Sequence, residues 1–211
     1  MIRSQEEEVV NAASHFISAI ITFLITFLIM FTENLTASQA FPLFIMGGTA
    51  GWTFLGSYMY HSSHEEPKRE RNRIFDKASI YLMIAGSGIG MGLTGEPTSL
   101  TMICCLLLLV IAALLIANLC TKQNITETFS VTSYVLMGWL ALLPGSGLLS
   151  PCSLSSGLAL ILVLSGGIAY SIGVVFYVGD SKKWYHTVWH GFTIIGFAFH
   201  FLAMSVALKI L

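Results

Sequence analysis

The chain has 211 residues, of which 55% are hydrophobic and only 10% charged, with a formal net charge of −1. Soluble domains carry about 25% charged residues, so this chain has too few polar side chains to cover a water-facing surface, and the composition indicates an integral membrane protein. The near-neutral charge gives no case for nucleic acid, and Cys104, Cys105, Cys120 and Cys152, with no C-x-x-C spacing, form neither a disulfide framework nor a metal knuckle.

A spanning helix needs about 20 apolar residues, and seven stretches qualify in chain order. The first, 9–31, follows an acidic start, MIRSQEEEVV, that does not resemble a cleavable signal peptide. The second, 41–61, ends in SYMYH, and the third, 74–93, opens on FDKAS. The remaining four are 100–120, 129–148, 154–178 and 185–209, the last opening on WYHTVWHGF. The gaps TENLTAS, EEPKRER, TGEPTS and PGSGLLSPCS carry turn formers and breakers. Only helices or closed barrels satisfy the backbone in lipid, and these runs are too long and too uniformly apolar for barrel strands. The expected fold is all-α: a single domain, 1–211, forming an integral membrane bundle of seven transmembrane helices.

The basic residues orient that bundle. Arg3 precedes segment 1, and Lys68, Arg69, Arg71, Arg73 and Lys77 follow segment 2. Lys122 follows segment 4, and Lys182 and Lys183 follow segment 6. In a seven-span arrangement all of these share one side, and only Lys209 falls on the other. The positive-inside rule then places the N-terminus in the cytoplasm and the C-terminus outside, for a multi-pass protein of the plasma (inner) membrane.

Polar residues converge at the cytoplasmic end. His186 and His190 open segment 7 on one face, about 6 Å apart along the axis. His61 ends segment 2, Ser57 lies one turn deeper on its face, and Asp76 opens segment 3. Ionisable groups in a membrane bundle usually face its interior and carry function. Three neutral imidazoles with a fourth position open to solvent match a catalytic zinc site, and nitrogen ligands favour Zn2+ over magnesium. Asp76 would orient a water or take its proton, and Ser57 would hold the water or an oxyanion. The simpler alternatives are interfacial histidines, an Asp76 that only caps its helix, and a Ser57 that only packs or bonds its own backbone.

Glu8, Asn11 and His15 share a face of segment 1 at the same end, either as a second shell that orients ligands or as an acidic helix start with a buried histidine. Glu6 and Glu7 read as helix start alone. His200 lies about 15 Å beyond His190, too deep to share its metal, and reads as an interhelical hydrogen bonder or a cavity wall. His64 reads as solvated. The clusters MGGTAG, AGSGIGMG and SGGIAYSIG allow close helix approach. Their G-x-G-x-G lies inside an apolar span and is no dinucleotide site. Trp184 and Trp189 suit an interfacial belt.

The succession EEEVVNAASHF, SYMYHSSH, FDKASIYLMIAGS, VLMGWLALLPG, GGIAYSIGVVFY and WYHTVWHGF closely resembles the haemolysin III family, the bacterial branch of the progestin and adiponectin receptor superfamily. The resemblance covers nearly the whole chain. It implies a seven-helix fold with a cytosolic N-terminus and a zinc ion on His61, His186 and His190, with Asp76 near a metal-bound water and Ser57 beside the site. It also implies ceramidase-like chemistry on a lipid amide, or a role in membrane-energy homeostasis, or haemolysis through pore formation. The expected function is thus a zinc-dependent hydrolase acting on an amide or ester of a membrane lipid. The alternatives are a non-enzymatic regulator of membrane energetics pinned by structural zinc, and a pore-forming cytolysin.

Overall fold

The computed structural model describes residues 4–94, 97–121, 126–143 and 157–210. Among these the chain is helical throughout, with seven helices and no strand: α1 (Gln5–Thr32), α2 (Ala37–His61), α3 (Lys68–Leu93), α4 (Ser99–Thr121), α5 (Glu127–Leu140), α6 (Gly157–Val178) and α7 (Tyr185–Ala207). Each apolar stretch of the sequence has its helix. Four of them, α1, α4, α6 and α7, are long and apolar enough to cross a membrane. α2 and α3 are equally long but interrupt their apolar faces with glycine, hydroxyl and charged residues.

Several helix bounds differ from the expected ones, among them the start of α2 at Ala37 rather than 41. α1 starts early because Ser4 and Glu7 form a reciprocal capping box. α3 begins at Lys68 rather than at 74, because KRERNR consists largely of good helix formers and Arg73 grips Glu70 one turn back at 2.8 Å. Asp76 therefore does not open its helix: the N-cap is Pro67, and Asp76 lies two turns inside α3. α5 stops at Leu140 and turns through Leu143, short of the expected 148. The stretch PGSGLLSPCS, with Cys152, lies outside the described residues.

Apolar side chains face outward, including Leu24, Leu28 and Phe31 of α1, Leu106 and Leu114 of α4, and Ile161 and Val175 of α6. The buried set includes Glu8, Asn11, His15, Ser57, His61, His186 and His190. An apolar exterior around a polar interior suits lipid as solvent. α2 packs on α1, α3 and α7; α3 carries α4 and α5; α6 pairs with α7; and α7 closes onto α1. The glycine clusters make these approaches possible. A Cβ on Gly47 would lie 2.0 Å from Thr26 Oγ1, and one on Gly166 would lie 2.3 Å from His200 Cδ2.

Polar ties gather one end of the bundle. Arg69 donates to Glu8 at 2.7 Å, and Lys183 pairs with Glu6 at 3.5 Å. Glu127 at the head of α5 accepts from Lys77, from Arg73, and from Tyr177 Oη at 2.9 Å. The start of α1, the α2–α3 turn, the head of α5 and the α6–α7 turn thus meet, and bring Arg69, Arg73, Lys77 and Lys183 together. Arg3 and Lys122 lie outside the described residues.

Candidate metal centre

His61 ends α2, and His186 and His190 occupy the first two turns of α7. The contact of α2 with both α1 and α7 brings them together. Their ring centroids lie 5.2 Å apart for His61–His186, 4.8 Å for His61–His190 and 4.7 Å for His186–His190. The three residues are only 1%, 7% and 3% exposed respectively. One ligand nitrogen from each lies within 4.8 Å of the other two. Nitrogens around a tetrahedral zinc lie about 3.3 Å apart, so closing onto a cation needs shifts of about 1.5 Å or less.

His61 supplies the sharpest test of fit. Its Nδ1 is 2.5 Å from Glu8 Oε2, while its Nε2 is buried without a hydrogen-bond partner. Buried polar atoms are nearly always satisfied. A nitrogen left bare among two other imidazoles, opposite a carboxylate-bound Nδ1–H, has the arrangement of a metal-ligating histidine. His186 Nδ1 likewise faces a carboxylate, Asp180 Oδ2, at 3.7 Å. The residues therefore fit a metal ion.

His186 and His190 form part of the wall of a cavity of about 750 Å³, and His61 lies buried directly behind them. Ser57, buried on α2, and half-buried Asp76 on α3 line the same cavity. Both therefore border the same cavity as His186 and His190, Asp76 from the middle of a helix and outside the three-histidine group. Ile80, Met83, Trp189 and Thr193 also border an apolar crevice between α3, α5, α6 and α7. Trp189 is therefore a wall of both the cavity and the crevice.

Three residues of α1 reach the centre in different ways. Glu8 bonds His61 directly. Asn11 accepts from Thr187 Oγ1 of α7 at 2.7 Å. His15 stacks on His190 with centroids 3.9 Å apart and meets Phe54 edge-on. His200 is remote from the metal group, with Nε2 3.1 Å from the Val163 carbonyl of α6. That makes it the interhelical hydrogen bonder expected, and it also borders the apolar crevice. His64 is exposed.

Sequence reasoning missed Glu7, Arg69, Asp180 and the backbone role of Trp184. Trp184 caps α7 in the left-handed region, at φ 69°, and its N–H donates to Glu7 Oε1 at 2.6 Å. The only sequence signal for Glu7 was the Ser-x-x-Glu box at Ser4, which marks a helix start and says nothing of α7.

The sequence profile of the family described as Haemolysin-III related matches residues 3–201, a span that holds all three imidazoles and their carboxylates. The chain belongs to this family. Hemolysin-3 of Bacillus cereus is 29% identical over 209 residues, covering 97% of this chain and 93% of the relative. Hemolysin-3 homolog of Bacillus subtilis (strain 168) is 28% identical over 204 residues, covering 94% and 93%. This haemolysin III-related chain is thus a membrane protein with a buried three-histidine group able to hold a metal ion.

Proposed function

We propose that the chain is a multi-pass inner-membrane protein, N-terminus in the cytoplasm, that holds Zn2+ on His61, His186 and His190 and hydrolyses an amide or ester of a membrane lipid. The observation that carries this reading is the bare, buried Nε2 of His61, set among two further imidazoles on a cavity that also presents Ser57 and Asp76. Zinc on three imidazoles supplies a Lewis acid that activates water and polarises a carbonyl. Asp76 would accept the proton of the attacking water, and Ser57 would donate to the developing oxyanion. The neighbouring apolar crevice would receive the acyl chain, so a lipid headgroup and its tail each meet a matching wall. The basic end of the bundle supports a site just below the cytoplasmic surface.

The purified protein is expected to carry about one zinc per chain, and metal content should fall in His61→Ala, His186→Ala and His190→Ala. Unchanged content in all three would refute the site. A lipid-amide panel is expected to show turnover by wild type and none by Asp76→Ala, and equal rates would reject Asp76 as a catalytic residue.

A second reading, a non-enzymatic regulator of membrane energetics, is favoured by the way the ligands bridge α2 and α7, so that zinc would act as a structural pin. Full rescue of a deletion phenotype by a zinc-replete Asp76→Asn protein would select it. The name of the Bacillus cereus relative points to lysis, and dye release from liposomes by purified protein tests that reading.

A further inference from the structure

α1 contributes no ligand to the three-histidine group, yet consecutive residues of its first turn hold both of the helices that do. Glu8 places Oε2 2.5 Å from His61 Nδ1 on α2. Its other oxygen accepts from Arg69 Nη2 at 2.7 Å, and Arg69 Nη1 donates to the Ser63 carbonyl at 2.8 Å. The carboxylate is therefore fixed from α3 and cannot rotate away from the ring. Glu7 turns the opposite way and accepts the Trp184 N–H at 2.6 Å. That amide belongs to a non-glycine residue at φ 69°, immediately ahead of α7. An L side chain is disfavoured there, so the start of α7 needs an external hold. His186 follows two residues later. Glu7 is itself steadied by Ser4, whose N–H and Oγ both donate to Oε2, at 3.1 and 2.9 Å.

We infer that the first turn of α1 is a positioning element for the metal centre: Glu8 orients the His61 imidazole and keeps Nε2 turned to the cation, and Glu7 fixes where α7 begins and so where His186 and His190 stand. The inference rests on the proposed metal centre and deepens it. A carboxylate behind a ligating imidazole fixes the tautomer and raises the ligand's basicity, and its loss typically costs 10- to 100-fold in metal affinity. Glu8 is a positioning residue, since it touches the ligand and not the cation.

The test is zinc affinity by chelator competition on full-length protein in detergent, with the absorption spectrum of the Co2+-loaded form as second readout. Glu8→Gln keeps the shape and removes the charge, and is expected to weaken zinc about 10-fold, with Glu8→Ala approaching 100-fold. Both should shift the Co2+ bands, which a merely structural loss would leave in place. Glu7→Ala is expected to weaken affinity about 10-fold. Glu6→Gln, on the same turn but exposed and paired with Lys183 at 3.5 Å, should match wild type. If Glu8→Ala fails to fold, Arg69→Gln, which frees the carboxylate without touching His61, carries the test and should also lose affinity. Wild-type affinity and bands in Glu8→Gln, Glu7→Ala and Arg69→Gln would overturn the inference and leave the metal centre standing. A wild-type protein that takes up neither zinc nor cobalt would remove the metal centre and the inference with it.

Discussion

Glu127 receives Lys77, Arg73 and Tyr177 at the head of α5, ahead of its apolar run. Burial alone would raise its carboxyl, but the Lys77 and Tyr177 bonds and the Arg73 charge outweigh burial and hold it below its ordinary value near 4.5. A depressed carboxylate stabilises the fold above its unfolded pKa and loses that contribution as pH falls through the folded value. Wild type should therefore exceed Glu127→Gln in thermal stability at neutral pH. The gap should start to close below about pH 4.5 and vanish at lower pH. Unfolding curves in detergent across that range check this, and a gap that stays constant would show that the tie is not ionic. The ligand histidines were legible in the sequence because helix phase and apolar run length fix both face and depth. Arg69, Asp180 and Glu7 were not, because their partners come from other elements. Glu7 and Trp184, for example, stand 177 positions apart, and one sequence carries no signal of such a pairing.

At the level of elements, the α6–α7 pair rests on close backbone approach. Gly166 leaves no room for a Cβ beside the His200 ring, and a Cβ on Gly196 would lie 2.8 Å from the Tyr170 ring. Gly166→Leu should destabilise the protein by about 1–3 kcal/mol through overpacking, read as a lower melting temperature in detergent. Gly138, whose Cβ would meet nothing within 4 Å, should accept alanine with little change. The seven runs were readable because apolar length is a property of the sequence itself. The starts of α1 and α3 were not, since hydropathy ignores capping and the helix propensity of charged residues. Reading SQEE as a capping box would have recovered the first, and the Glu70–Arg73 spacing hinted at the second.

For the whole molecule, the described cations gather at one end of the bundle except Lys209, which follows the far end of α7. The seven-span arrangement expects a reporter fused after Leu211 to be active outside the cytoplasm, and one fused before Met1 to be active within it. Reporters active on the same side would break that topology. Composition and charge placement made the membrane class and the end that carries the site legible. The cavity was not legible, because its size follows from the spacing of α2, α3, α5, α6 and α7, and no local pattern encodes that spacing.

The ligand set joins the second helix to the last. A ribosome must therefore make α7 as well as α2 before a cation could find all three donors. On the proposed metal reading, loading would then follow the placement of α7. A truncated product would remain unloaded however well its earlier helices had inserted.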